Sequence, residues 1–288
     1  MGGPVNDRDL SAFRISVPAW GKFRESLLLL SFLSGLGLAS VYAQETNTPV
    51  PGKHSLALSF GMQRSAERDE AYSPLVFSGT IPAIGAHYLR RGAESTDQIH
   101  LSFAVGELNN RFGAGMRLFH AGLITYKFYH RRDPEKPLQF GWTNQNMVSV
   151  RSFADANNFN PRADVHTSFG PALRYRYRPE FFHRRLELDV QGHFQVLGFL
   201  IASDYVSPYP PGFTDRSRSG LSALWHSARP LYPGAIWHWG LWPQCRYRLS
   251  AGSMIGLSYR YDMLLLRGVQ RSSGSRGLYL ITVTMPLS

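Results

Sequence analysis

Side chains able to do acid, base or nucleophilic chemistry recur at alternate positions in the second half of the chain. In an extended strand, that spacing puts them on one face. His166 and Ser168 are two apart, and Glu180 follows twelve residues after the serine. A serine, a histidine base and a carboxylate are the parts for nucleophilic attack on an ester. Here they belong to opposite ends of one strand, with Glu180 in a tight turn, so the expectation is that the three do not meet. His193 and His238 have Asp189 and Asp262 as candidate partners. No metal-ligand spacing accompanies them, so neither a metal nor a cofactor is expected, and a satisfied polar interior accounts for them. Arg174 and Arg176 precede Glu187 and Asp189 across a turn. If Arg176 faces Glu187 and Arg174 faces Asp189, both pairs share one antiparallel register, because each sums to 363. Facing opposite charges stabilise such a pairing modestly. Arg260 and Asp262 point to the same interior from a later strand.

The elements that position these groups are strands of unusual regularity. From Leu186 onward, Leu186, Leu188, Val190, Phe194 and Val196 alternate with Glu187, Asp189, Gln191, His193 and Gln195. Similar alternation defines ten strands, at 54–63, 82–91, 98–107, 115–131, 138–150, 167–178, 185–202, 235–249, 253–267 and 277–287. An eight- or twelve-stranded count is also compatible with the pattern, since the fourth strand could split and 73–79 could add a piece. Connections at 92–97, 132–136, 179–184 and 250–252 are tight, and those at 64–81, 151–166 and 203–234 are longer. Short turns at one end and long loops at the other are the asymmetry of a membrane barrel. The longest loop carries Pro208, Pro210, Pro211, Tyr205, Tyr209 and Trp225, and reads as a solvated element over the barrel mouth.

The 288-residue chain opens with a segment that has the parts of a secretory signal. Lys22 and Arg24 precede an apolar run from Leu27 to Leu38, and Val41-Tyr42-Ala43 offers a cleavage site before Gln44. The run is shorter than the roughly 20 residues of a membrane helix. The domains expected are therefore a signal peptide at 1–43, a short periplasmic leader at 44–53 and a barrel at 54–288. The net charge is +11; residues 1–43 hold four basic and three acidic side chains, which leaves +10 on the rest. No zinc spacing, phosphate loop or RNA-binding motif accompanies this charge. It suits the phosphates of outer-membrane lipid better than nucleic acid. Cys245 is the only cysteine, which excludes an intramolecular disulfide, and it falls among outward positions.

Aromatic residues mark the boundaries of an apolar band. Tyr175 and Tyr177 end the outward face of the sixth strand, Trp237 and Trp239 lie on that of the eighth, and Tyr259 and Tyr261 on that of the ninth. Rings at both membrane interfaces are the girdles of such proteins. With these features, residues 54–288 resemble a bacterial outer-membrane β-barrel of the small single-chain type: all-β, antiparallel and up-and-down. The resemblance implies export to the outer membrane of a Gram-negative bacterium and insertion by the barrel-assembly machinery. Such barrels usually finish on an aromatic residue, whereas this sequence finishes Met285-Pro286-Leu287-Ser288 with its alternation intact.

Two further expectations follow from that resemblance. A barrel of about this size fills its lumen with its own side chains. Arg174, Arg176, Glu187, Asp189, His193, Arg260 and Asp262 would form that filling, giving a largely plugged, monomeric protein whose contacts are with lipopolysaccharide. The alternatives are a narrow channel for small solutes, and an enzyme. The His166/Ser168 pair with its later glutamate resembles the arrangement in outer-membrane lipid A deacylases, which implies acyl-ester hydrolysis.

Overall fold

A computed structural model describes residues 54–69, 73–130, 136–153, 161–180, 185–202, 228–249, 252–267 and 272–287. The signal and leader expected at 1–53, and residues 203–227 of the expected longest loop, lie outside the described residues. Twelve strands follow one another: β1 (His54–Asp69), β2 (Ser73–Arg91), β3 (Ser95–Asn109), β4 (Gly115–Tyr129), β5 (Leu138–Phe153), β6 (Arg162–Tyr177), β7 (Leu186–Gln195), β8 (Leu197–Ala202), β9 (Arg229–Leu231), β10 (Ile236–Arg248), β11 (Met254–Leu266) and β12 (Ser272–Leu287). Strands that are neighbours in the sheet pair antiparallel, and β1 pairs with both β2 and β12. The sheet therefore closes. β7 and β8 are two parts of one stave, and the short β9 runs into β10, so the barrel has ten staves. Closure leaves no strand edge exposed, which is what allows a sheet to sit in lipid. Both ends of the barrel chain, His54 and Leu287, lie at one rim, here called the terminal rim; the other is the distal rim.

The alternation sorts side chains as expected. Glu187, Asp189, Gln191, His193 and Gln195 are buried in the lumen, while Leu188, Val190 and Phe194 face outward. Cys245 also faces outward.

Several strands run further than the sequence reading placed them. β1 continues to Asp69 and β2 begins at Ser73, so the long connection expected at 64–81 is a short hairpin. β6 likewise starts at Arg162 rather than 167, which shortens the loop expected at 151–166. The physical cause is visible on β1. Its outward face runs Leu56, Leu58, Phe60, Met62 and then Arg64. A 16-residue strand is about 50 Å long, and tilted by about 40° it rises higher than the roughly 25 Å apolar band. Beyond Met62 the strand stands in water, where the outward face no longer needs apolar residues, while Ser65, Glu67 and Asp69 stay buried inside.

The expected seventh strand, 185–202, is broken at Val196. Pairing of β7 with β6 follows a register summing to 365, and that of β8 with β6 one summing to 366. One extra residue has been inserted, which is a β-bulge. It reverses which residues face in: odd numbers before it, and Gly198 and Leu200 after it. Pro171 sits opposite this break, and proline, lacking an N–H, is tolerated within a sheet at such sites. Gly170 beside it is in close contact with Phe194 O; a Cβ there would also lie 2.8 Å from Gln195 Cα.

The register between β6 and β7 also differs from the expected sum of 363. Arg176 is opposite Asp189 and Arg174 is opposite Gln191. The slip is two residues, an even number, so every side chain keeps its face. Long guanidinium arms then reach their carboxylates diagonally.

Candidate functional site

The lumen holds the groups that could do chemistry, and its side chains meet in layers. Nearest the terminal rim, the fully buried Arg174 donates from Nε to both Asp189 oxygens at 3.0 and 3.1 Å. Arg246, opposite Glu187 on β10, reaches Glu187 Oε1 and Asp189 Oδ2, both at 2.6 Å. Arg178 pairs with Glu187 Oε2 at 2.7 Å, and Arg176 lies 3.9 Å from Glu187 Oε1. Each buried carboxylate is thus held by more than one guanidinium. Such a cluster is costly to desolvate but equally costly to break, because a lost partner leaves an uncompensated buried charge.

At mid-height the filling turns aromatic. His87 and His100 stack at 3.7 Å, and Trp242 of β10 meets the edge of His100 of β3 at 4.2 Å. Tyr126 of β4 hydrogen bonds through its hydroxyl to His193 Nδ1 of β7 at 3.0 Å. Gln191 of β7 donates to Gln98 of β3 at 3.1 Å. His87 and His100 face each other on the paired strands β2 and β3; the other contacts join non-adjacent strands and cross the barrel.

Toward the distal rim, Arg276 of β12 donates to Glu67 at 2.8 Å and approaches His120 of β4 at 2.7 Å. Above it lies a quartet of paired charges. Asp69 of β1 accepts from Arg151 of β5 and lies 2.8 Å from both Arg151 and Arg162 of β6. Asp164 pairs with the same two arginines at 2.8 and 3.0 Å.

The sequence reading named Arg174, Arg176, Glu187, Asp189, His193, Arg260 and Asp262 as interior groups. The structure places all seven in the lumen, with Arg260 Nε 2.7 Å from Asp262. It missed the distal quartet, Glu67 and Arg276, because those residues were assigned to loops or to a strand's outer end. Their signal was period-two spacing: Glu67 and Asp69 continue the inward phase of Gln63 and Ser65. It also missed an apolar share of the filling. Phe77, Ile81, Leu108, Met116 and Leu118 form one buried cluster, and Ile124, Tyr126, Phe128, Ala172 and Trp242 another.

His166 and Ser168 are both buried in the lumen, yet among the described residues neither ring nitrogen nor the serine Oγ has a hydrogen-bond partner. A nucleophile and its base require contact near 3 Å. Glu180 is exposed beyond the end of β6, which runs nine residues past Ser168, about 30 Å at strand spacing. These three residues are not brought together. The ring of His166 lies 5.5 Å from that of His238.

On the outside, Tyr175, Tyr177, Trp237 and Trp239 are exposed. Tyr175 and Tyr177 lie near the terminal rim with Tyr129, Trp142 and Tyr247, which the sequence reading did not single out. Trp237 and Trp239 lie toward the distal rim, where Trp239 packs on Tyr261 at 5.3 Å. Tyr259 is mid-strand on β11 and packs on Tyr279 at 4.6 Å.

No known family and no curated protein matches this sequence. Solved structures do. The chain is similar to the outer-membrane protease OmpT of Escherichia coli, at 8% identity and a TM-score of 0.53, covering 84% of this chain and 99% of that one. A second similar structure is the translocator domain of the autotransporter NalP from Neisseria meningitidis, at 9% identity and a TM-score of 0.39, covering 91% and 98%. At these identities the likeness concerns fold alone.

Proposed function

We propose that this chain, which has the closed antiparallel fold of outer-membrane β-barrel proteins, is a non-conducting barrel of the Gram-negative outer membrane, exported by its signal peptide and inserted by the barrel-assembly machinery, whose task is performed at its rims. The observation that carries this reading is the set of contacts between non-adjacent strands: Asp69 with Arg151 and Arg162, Arg276 with His120, His100 with Trp242, and Gln191 with Gln98. Side chains that touch across the lumen at several heights obstruct a water path, which argues against a narrow solute channel. Separation of Ser168 and His166 from Glu180 argues against the acyl-ester hydrolase. With the lumen closed, the surfaces left for work are the distal turns and the basic residues around them. Arg64, Arg111 and Arg117 are exposed there, and Phe112 projects at a turn tip beneath the Arg111 guanidinium, 4.6 Å away. Guanidinium groups beside an apolar band match the phosphates of lipopolysaccharide, an anion that lines the same membrane.

The test is conductance of the purified, folded protein in a planar bilayer. The expected result is a flat baseline with no stepwise opening. Steady unitary conductance would refute closure and favour the channel.

A further inference from the structure

Three of the luminal side chains have features that the packing of a plug does not account for. His193 of β7 and Asp262 of β11 both lie opposite Gly240 of the intervening β10, and His238 is two residues along β10 on the same face. Because Gly240 has no side chain, the imidazole and the carboxylate lean toward each other over its Cα. A Cβ at that position would come within 2.6 Å of Asp262 Oδ1 and 2.7 Å of His193 Nε2. The ligand atoms of His193, His238 and Asp262 all lie within 4.8 Å of one another.

Their hydrogen bonding is incomplete in a particular way. Among the described residues, His193 Nε2, both ring nitrogens of His238 and Asp262 Oδ1 have no hydrogen-bond partner. His193 Nε2 and Asp262 Oδ1 face each other at 3.5 Å, beyond hydrogen-bond range. Buried polar atoms are normally satisfied, so several lone pairs converging on one point call for a ligand. The atoms on the far sides of the same groups are engaged. His193 Nδ1 meets the Tyr126 hydroxyl at 3.0 Å, and Asp262 Oδ2 lies 2.7 Å from Arg260 Nε. A histidine that donates through Nδ1–H presents the bare Nε2 lone pair, and this is how outer partners orient metal-binding histidines.

We propose that His193, His238 and Asp262 bind one divalent transition-metal ion of the zinc class inside the barrel. Two imidazoles and a carboxylate suit Zn2+, Co2+, Ni2+ or Cu2+, and not Ca2+ or Mg2+, which take mainly oxygen ligands. Tetrahedral zinc with bonds of 2.0–2.1 Å needs ligand atoms about 3.3 Å apart, a contraction that rotation of the His238 ring can supply. The His193 and His238 rings stand 5.7 Å apart and nearly perpendicular, at 89°. His166, whose ring is 5.5 Å from that of His238 and whose two nitrogens have no hydrogen-bond partner among the described residues, would have to swing inward to give a fourth ligand. Arg260 shares Asp262 with the metal, so the imidazoles carry most of the affinity. An ion held there would tie β7, β10 and β11 together at mid-lumen.

The experiment is cobalt and zinc binding by the tag-free barrel, folded into detergent in the presence of each metal so that entry through the closed lumen does not limit loading. The expected result is about one equivalent of Co2+, with the ligand-field absorption of a low-coordinate nitrogen and oxygen site, displaced by Zn2+. His238→Ala and Asp262→Asn should weaken binding at least tenfold. Gly240→Ala should do the same by filling the space between the ligands, although it touches no ligand atom chemically. Tyr126→Phe should weaken it about tenfold, the usual effect of losing an outer partner. His87→Phe, elsewhere in the lumen, should leave it unchanged. Folding is followed in every sample by heat-modifiable migration. A folded wild-type barrel that takes up no cobalt overturns the proposal whatever the variants do. So does uptake that persists undiminished in Asp262→Asn or Tyr126→Phe, or that is lost in folded His87→Phe.

Discussion

Replacing Asp189 by asparagine preserves the shape of a fully buried side chain of the terminal-rim cluster and removes its charge. Arg174 and Arg246 both bond to it, and with it gone Arg174, Arg176, Arg178 and Arg246 are left around the single carboxylate of Glu187. Arg174 and Asp189 are fully buried, so water cannot take over the lost interaction. Breaking a buried pair by removing one partner costs about 3–5 kcal/mol, whereas an exposed pair is worth about 0–1 kcal/mol. Those two ranges do not overlap, and this makes the variant a measure of whether the lumen is dry. The assay is urea unfolding of the protein reconstituted in lipid vesicles, read by tryptophan fluorescence and heat-modifiable migration, with Arg64→Ala at the rim as a surface control. The expected loss is about 3–5 kcal/mol for Asp189→Asn and under about 0.5 kcal/mol for Arg64→Ala. A loss of about 1 kcal/mol or less at Asp189 would mean that the cluster is hydrated, and the argument for a closed lumen would fail with it. The double substitution Arg174→Met with Asp189→Leu removes both charges together and should recover much of the loss.

Two other outcomes follow from which way side chains face and how closely backbones approach. In single-tryptophan variants in vesicles, the fluorescence of Trp239 should be quenched by brominated acyl chains and that of Trp242 should not, since one ring faces outward and the other is buried in the lumen; equal quenching would contradict the phase of β10. Gly170→Ala should cost about 3 kcal/mol or more, comparable with other severe core changes, or shift the β6–β7 register, because its Cβ would collide with Phe194 O. Urea unfolding measures the first, and crosslinking of paired cysteines placed at Ala172 and His193 reports the second.

The Leu186–Gln195 segment shows how much a barrel writes into local sequence. Lipid on one side and a packed interior on the other impose strict alternation, so the all-β class and the facing of Arg174, Glu187 and His193 follow from residue types alone, whereas the pattern fits eight, ten or twelve strands and pairing selects ten. The same rule explains where the reading stopped. It relies on lipid to make the outward face apolar, and on β1 that condition ends at Arg64, so Glu67 and Asp69 looked like loop although the strand runs on. Register is a different matter: sums of 363 and 365 satisfy the alternation equally, because a two-residue slip moves no side chain to the other face. Arginine is long enough to find its carboxylate in either.

What the tertiary structure decided is which luminal groups meet across the barrel. Asp69 reaches Arg162, and His100 reaches Trp242, over distances in sequence that no local pattern encodes. Curvature and closure bring opposite walls within a side chain's reach, and they do so only once all ten staves have paired. The convergence of His193, His238 and Asp262 has the same origin. Sequence supplied the residue types, and the missing side chain of Gly240 became meaningful only when two neighbouring strands were laid beside it.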